Sequence, residues 1–533
     1  MKVDIKKIEG YAYGAIQPSF ILIFRDVFVN FKNVFEKLEN LLELLPEFYD
    51  HNRFFDSDVA VEPASPLALF VTILDTLNHY CGDQRFTPIR VLQEENSLCF
   101  ALPTLSTEMC RFNINLIKSL LEMTDKADLR EQAVDFLENH KRKARVFLPA
   151  GTNAGSFIAA AAERKIPFKI FNQQYIIFGY GIGSRIFNSS VTDEESAIGV
   201  RLAKSKVDTN RLLKMSGFPV AEQARVRTVD DAIRYAENIG YPVVLKPEAE
   251  EQGRGVFANI IDVSELKECF EKASSDFNNL IIEKFVKGLT YRVHLHHGKV
   301  MDAWKTNPPS IIGDGHSSIS ELIDIENAKP ERNSINSSIK PIPKDYTTAL
   351  NLQKLGLDFD FSPSLGEEIV LAVTSNESRG GSSQNFLSFL HPEIADLCIQ
   401  AARTLRLQVA AIDLISQDAA VSLQESDTFI CEVNSQPQLG DLETYPHLFH
   451  DLLNKLPDSC PEIILVVSKK SENYYFNAFN KSVENISVRV PPHYLLKHGS
   501  PTQYFNKIEF EDDISLEERQ KIVAMLTSTL PDR

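Results

Sequence analysis

Apolar residues recur at three- and four-residue intervals over residues 31–45, 67–80 and 108–123, the spacing of one buried helix face. Short apolar runs of strand length lie at residues 19–24, 145–150 (RVFLPA) and 168–171. GTNAGS at residues 151–156 reads as a turn into an alanine-rich helix ending near Arg164. Its Thr, Asn and Ser suit helix capping within a strand–helix–strand unit, or an anion at a helix N-terminus. From about residue 200 the two periods alternate. Helices are predicted over residues 206–215, 229–239 and 263–272, and strands over 241–245, 256–260 and 280–283. Residues 324–346 are polar and rich in Asn, Ser, Pro and Lys, which predicts a mobile loop, either a lid or an inert linker. A strand at 463–467 and a helix at 516–526 follow, and no internal repeat is present. The pattern predicts an α/β (α+β) protein, with an N-terminal α/β domain over residues 1–185, a second domain over 186–455 and a small α/β extension over 456–533.

Length agrees with that division, since 533 residues exceed one hydrophobic core and call for about two to four domains. Hydrophobic content of 43% and charged content of 24% are those of a soluble globular protein. A net charge of −17 speaks against nucleic-acid partners, which need clustered Lys and Arg. An anionic ligand must therefore be drawn in by a local basic site. Seven scattered cysteines without a CxxC pair predict buried free thiols rather than a zinc site or disulfide framework. The opening MKVDIKKIEG lacks the apolar stretch of a signal peptide, and no apolar run approaches the roughly 20 residues of a membrane span. A cytoplasmic protein without membrane contact is expected.

Candidate chemistry begins at residues 241–257, YPVVLKPEAEEQGRGVF. An apolar run delivers Lys246 and then enters a turn carrying Gly253, Arg254 and Gly255, an arrangement that can hold a cation and backbone N–H groups against phosphate oxygens. A ligand-free hairpin is the alternative. LIIEKFV at residues 280–286 reads as an apolar edge strand whose backbone could face a purine, with Glu283 nearby. NESRGGSS at 376–383 places Arg379 before two glycines, a setting for an arginine that reaches a transferring phosphoryl group. Glu432 and Asn434 are two apart on one strand and so share a face; with Asp413 in AAIDLI they offer oxygen ligands only, which suits Mg²⁺. A carboxylate pair satisfied by lysine or backbone is the competing reading.

These segments, with FGYGIGSRIFNSSVTDEESAIGVRLAKSKVDTNRLLKMSGFPV, IIEKFVKGLTYRVHLHHGKV, IIGDGHSSISELI and CEVNSQPQLG, run in one order over residues 178–445. Together they resemble the ATP-grasp ligases, most closely the ATP-grasp half of cyanophycin synthetase and the ligase half of bifunctional glutathione synthetases. The resemblance implies an ATP-grasp domain over 186–455, with a lid at about 207–285. It implies that Lys206 and Lys246 contact the α- and β-phosphates of ATP and that Gly253, Arg254 and Gly255 fold over the triphosphate. Glu283, Lys284, Phe285 and Val286 would hold the adenine, and Asp413, Glu432 and Asn434 would hold Mg²⁺, with Mn²⁺ as an alternative. Arg379 and Arg292 would face the γ-phosphate and an acyl phosphate. Two departures stand out. Thr290 replaces an acid that contacts the ribose in relatives, and Lys305 and Thr306 in AWKTNP replace a Glu-Arg pair near the amino-acid substrate, beside the single tryptophan, Trp304.

The implied activity is an ATP- and Mg²⁺-dependent carboxylate–amine ligase that works through an acyl phosphate, forms an amide or isopeptide bond and releases ADP and phosphate. Its partners would be small carboxylates and amines, amino acids or peptides, with room for a homo-oligomer. A phosphotransferase on the same scaffold and a non-catalytic nucleotide-binding module are the alternatives. About 80 residues follow the ATP-grasp region, so a single amide bond, or polymerisation aided by another enzyme, is expected rather than a two-residue polymer repeat made by this chain alone.

Overall fold

The structure, a computed structural model, describes residues 2–8, 10–12, 15–25, 55–56, 66–94, 97–122, 136–179, 184–248, 255–333, 339–373, 375, 377–440, 442–443, 445–453, 462–470, 475–476, 485–502 and 505–526. The helix expected at 31–45 lies outside them, as do Gly253 and Arg254. The chain divides into two compact units, one of Met1–Ser189 with Gln438–Arg533 and one of Ser190–Pro437.

Alternation builds the first unit. In the strands Ser19–Arg25 and Ser97–Pro103, Phe20, Leu22, Phe24, Phe100 and Leu102 leave from one face and pack on helices Pro66–Tyr80 and Thr107–Glu122. Ile21, Cys99 and Ala101 leave from the other and pack on Leu465, Val467, Val488 and Val490. Those four belong to the parallel strands Glu462–Val467 and Asn485–Val490, so residues from the end of the chain complete the core begun by its start. RVFLPA is not the expected strand. A helix through residue 144 runs into a 3-10 turn at Arg145–Phe147, closed by the Leu148 N–H on Arg145 O at 3.2 Å. Phe147 and Leu148 pack beside Cys81 and Met109 rather than on a sheet.

Among the described residues the second unit carries, beside the two-stranded pair Ser310–Ile312 and Glu368–Val370, two larger sheets. Gln223–Val226, Leu280–Lys284, Val243–Pro247 and Phe257–Ile260 form one in that spatial order, covered by helices Val229–Ile239 and Val263–Asp276. Ser382–Asn385, Lys299–Asn307, Leu289–His296, Val409–Ser416 and Thr428–Asn434 form the other, and Tyr291, Val293, Leu295, Ile412 and Leu414 on one of its faces pack on helices Lys206–Met215 and Pro392–Thr404. Leu280–Lys284 is an interior strand, not the expected edge, because Gln223–Val226 pairs along its outer side.

Of the loop expected at 324–346, residues 334–338 lie outside the described residues, and the described parts run into helices at both ends. Ser318 and Glu321 form a capping box that starts helix Ile319–Asn327, and Asp345 caps helix Tyr346–Lys354. Asn327 is tied to Ile342, accepting from its N–H at 2.7 Å and donating to its O at 2.9 Å. Of the six described cysteines five are buried and Cys431 is open to solvent. Among the described residues no helix is long and apolar enough to cross a membrane.

One buried acid makes stability depend on pH. Asp83 is buried, and its carboxyl is pushed up to about 7 by desolvation, with bonds from Thr104 and the Leu105 N–H opposing. The Thr104 hydroxyl bonds both Asp83 and Ser106 O, and its single proton cannot serve two acceptors. A protonated Asp83 that donates to Thr104 resolves the conflict. Because the folded pKa lies above the unfolded value of about 3.9, the associated stability is complete below pH 4 and is lost as pH rises to 7. Denaturant unfolding of wild type and Asp83→Asn at pH 5 and pH 8 should show the variant gaining on wild type by about 2–3 kcal/mol at the higher pH. A difference that does not change with pH would refute a protonated Asp83.

Candidate active site

Antiparallel pairing lines up one row of side chains across the five-stranded sheet. Asn385 pairs with Trp304, Trp304 with Arg292, Arg292 with Asp413 and Asp413 with Glu432. Directly paired residues share a face, so an amide, an indole, a guanidinium and two carboxylates emerge side by side. A bulge at Cys431 sits next to Glu432 and gives the last strand one extra residue there. Asn434 pairs with Ala411, and its amide donates to Asp413 Oδ2 at 3.1 Å.

Each cation in this cleft is matched by a carboxylate. Arg292 grips Asp413 with two bonds, Nε to Oδ1 at 2.7 Å and Nη2 to Oδ2 at 2.8 Å. Lys206 opens its helix behind the Ser205 cap, and its Nζ lies 3.2 Å from Glu432 Oε1. Lys246 and Glu283 sit on adjacent strands of the other sheet, diagonally on one face, with Nζ 2.7 Å from the carboxylate. Burial works against the Lys246 ammonium, but Glu283, with Glu432 beyond, overrides it and holds the pKa above the usual lysine range. Asp413, first, keeps Arg292 charged as well.

The structure thus brings Lys206, Lys246, Glu283, Arg292, Asp413, Glu432 and Asn434 around one cleft. Backbone past Glu283 is partly engaged: the Lys284 N–H donates to Glu222 O at 2.9 Å and the Phe285 N–H to Pro242 O at 3.1 Å, with Val286 following in irregular chain. Gly255 has φ +70° and no room for a side chain, since a Cβ would come within 2.5 Å of the Phe277 ring. Arg379 is not in direct contact with the row; Asp345 holds its Nη2 at 2.8 and 2.9 Å, and Thr347 bonds the same nitrogen. Sequence reasoning missed Asp345, although an acid ahead of Tyr346–Lys354 is a cap signal. It also missed Asp302, which accepts from Trp304 Nε1 at 2.8 Å and from Asn385 Nδ2 at 3.0 Å and so fixes the indole beside Arg292.

Among the described residues no three His, Cys, Asp or Glu side chains converge as a metal cluster. The donor set here is two carboxylates on paired positions and one amide, all hard oxygen donors, which fits Mg²⁺ in its preference for few protein ligands plus phosphate oxygens.

Among known protein families, residues 205–344 match the carbamoyl-phosphate synthase L chain ATP-binding domain, and residues 372–451 match the RimK-like ATP-grasp domain. Cyanophycin synthetase from Trichormus variabilis is 30% identical over 315 residues, covering 58% of this chain and 34% of the relative. The glutathione biosynthesis bifunctional protein of Clostridium perfringens is 24% identical over 289 residues, covering 53% of this chain and 37% of the relative. The chain therefore spans about a third of the length of these curated relatives. The crystal structure of a bifunctional glutathione synthetase from Pasteurella multocida aligns over 82% of each chain at 15% identity, with a TM-score of 0.39.

The pairing of charges has a measurable consequence. Arg292→Met strands the Asp413 carboxylate, 8% exposed, with Asn434 as its remaining hydrogen-bond partner. Arg292 itself is 43% exposed, so the loss is expected to be no more than about 3 kcal/mol in denaturant unfolding. Arg292→Met combined with Asp413→Leu should recover most of it. Unchanged stability of the single variant would show that the pair does not hold the sheet face together.

Proposed function

We propose, from the premise that this chain carries an ATP-grasp domain, that it is an ATP- and Mg²⁺-dependent ligase joining a small carboxylate to an amine, an amino acid or peptide on one or both sides. The observation that carries this reading is the placing of two ion-paired ammonium groups about one cleft, Lys206 on Glu432 and Lys246 on Glu283, with Glu432 near enough to favour the charged form of Lys246 as well. Two ammonium groups in an acidic protein, each held beside its own carboxylate, form a site that can exchange carboxylate for phosphate oxygens without a large change in net charge.

A carboxylate acylates poorly because its leaving group would be oxide. Transfer of the ATP γ-phosphoryl group to one carboxylate oxygen breaks the β–γ phosphoanhydride bond, releases ADP and leaves an acyl phosphate. An amine then attacks the acyl carbon, loses a proton and expels inorganic phosphate, forming the amide. The protein's share of the first step is positioning and charge neutralisation. In this reading Lys206 and Lys246 leave Glu432 and Glu283 for the phosphates of ATP. Arg292, fixed by Asp413 on one side and flanked by Trp304 on the other, faces the transferring group. Arg379 exchanges Asp345 for the same group as the turn around it closes. Mg²⁺ held by Asp413, Glu432 and Asn434 would supply further neutralisation of phosphate oxygens. Asp302, Trp304 and Thr306, at alternate positions of one strand, and Ser383, paired with Thr306 and 3.1 Å from its hydroxyl, would border the substrate carboxylate or amine.

With MgATP and pooled amino acids, ADP and free phosphate should appear in equal amounts and only when a suitable acid and amine are both present. A stable phosphorylated product without phosphate release would overturn ligation in favour of phosphotransfer. Lys246→Ala strands the buried Glu283, so Lys206→Ala, whose partner Glu432 is more exposed, is the cleaner variant. It is expected to lower turnover about a hundredfold, on the order of 3 kcal/mol of barrier, with the circular dichroism spectrum unchanged. Wild-type turnover in that variant would contradict the assignment.

A further inference from the structure

A second basic site lies on the helix-covered side of the same five-stranded sheet. Helix Pro392–Thr404 ends in a Schellman turn, with the Leu407 N–H donating to Ala402 O and the Arg406 N–H to Arg403 O, both at 3.0 Å. The left-handed position of that turn, φ +60°, is occupied by Arg406, where glycine would sit without strain. Beside it, strands Leu289–His296 and Lys299–Asn307 are joined by His297 and Gly298, with φ of 48° and 71°. A Cβ on Gly298 would come within 2.9 Å of Arg403 Nη2, so the glycine leaves space for the guanidinium.

Leu295, His297, Arg403, Arg406, Leu407 and Gln408 line a cavity of about 300 Å³ between these turns. The acids near it are already engaged. Glu194 lies 2.8 Å from His297 Nε2, and Glu195 accepts the Gln408 and Val409 N–H groups at 2.8 Å each. Among the described residues neither Arg403 nor Arg406 has a carboxylate partner, although every cation of the nucleotide cleft has one. Among the described residues two exposed guanidiniums without a carboxylate partner thus stand at the mouth of a cavity floored by Leu295 and Leu407, and one of them, Arg406, holds a backbone conformation that disfavours arginine, an arrangement that serves a ligand better than it serves stability.

We infer that this cavity binds a small oxyanion, a phosphate or carboxylate group received by Arg403 and Arg406, at a site separate from the nucleotide cleft. The strand carrying Asp413 begins at Val409, next to Gln408, and the strand carrying Arg292 ends at His296, next to His297. Four residues of strand, roughly 14 Å, connect the cavity to the Arg292–Asp413 pair, so occupancy is placed to act on that pair through two paired strands.

The test is thermal unfolding of the full chain titrated with inorganic phosphate and, separately, with succinate, for wild type, Arg406→Gly, Arg403→Ala and Lys206→Ala. Arg406→Gly relieves the left-handed strain, so its melting temperature without anion should rise above wild type. At tens of times the dissociation constant, wild type and Lys206→Ala should gain about 2–4 °C, whereas Arg406→Gly and Arg403→Ala should gain none. The anion giving the larger gain identifies the source of the oxyanion. The inference is overturned if no anion shifts wild type, if Arg406→Gly keeps the shift, or if the shift disappears in Lys206→Ala alone, which would put the anion in the nucleotide cleft.

Discussion

Cations buried in a protein of net charge −17 must be neutralised at every stage of their work, and that constraint organises the cleft. Lys206, Lys246 and Arg292 each rest on a carboxylate when no ligand is present. Removing one member of such a pair costs far more than the pair contributes, because the survivor is left desolvated and alone. In the proposed reading a polyphosphate replaces Glu432 and Glu283 on the two lysines, Arg292 keeps Asp413, and the released Glu432 is free for a dication, which would account for acids and bases being interleaved here rather than segregated.

The fold delivers this arrangement through strand register. Five strands contribute one residue each to the row from Asn385 to Glu432, and a slip of one residue on any strand would turn its member into the core. Tyr291, Val293, Ile412 and Leu414 fix that register from the opposite face, where helices Lys206–Met215 and Pro392–Thr404 cover them. The first of those helices carries Lys206 at its start, so the packing that locks the sheet also sets the position of that cation. Lys246 arrives from the other sheet, whose core is separate, and a rotation of that sheet would move Lys246 and Glu283 together.

Much of this was legible in the residues. Helices Lys206–Met215 and Val229–Ile239 follow from amphipathic spacing behind Ser205 and Thr228 caps, and the mixed α/β class follows from the alternation of periods. Periodicity failed where local apolar content was not used by a sheet, as in RVFLPA, whose residues continue a helix and pack on Cys81 and Met109. Composition misled over the described residues 324–333 and 339–346, where caps at Ser318 and Asp345 and the two bonds of Asn327 outweigh polarity. Which strand lies at an edge is a property of pairing across about 60 residues, from Gln223 to Glu283, and short-range pattern carries no trace of it. The partners of each cation were invisible for the same reason: Arg292 and Asp413 are 121 residues apart.

Isothermal titration of ATP, with Mg²⁺ and then with the dication chelated, tests the exchange of carboxylates most directly when wild type is set beside Glu432→Gln. Mg²⁺ should tighten nucleotide binding by about tenfold or more in wild type, and most of that gain should vanish in the variant. Equal affinity for ATP with and without the dication in wild type would mean that Asp413, Glu432 and Asn434 only balance the cations beside them, and would contradict the exchange of lysine for dication on which the proposed chemistry depends.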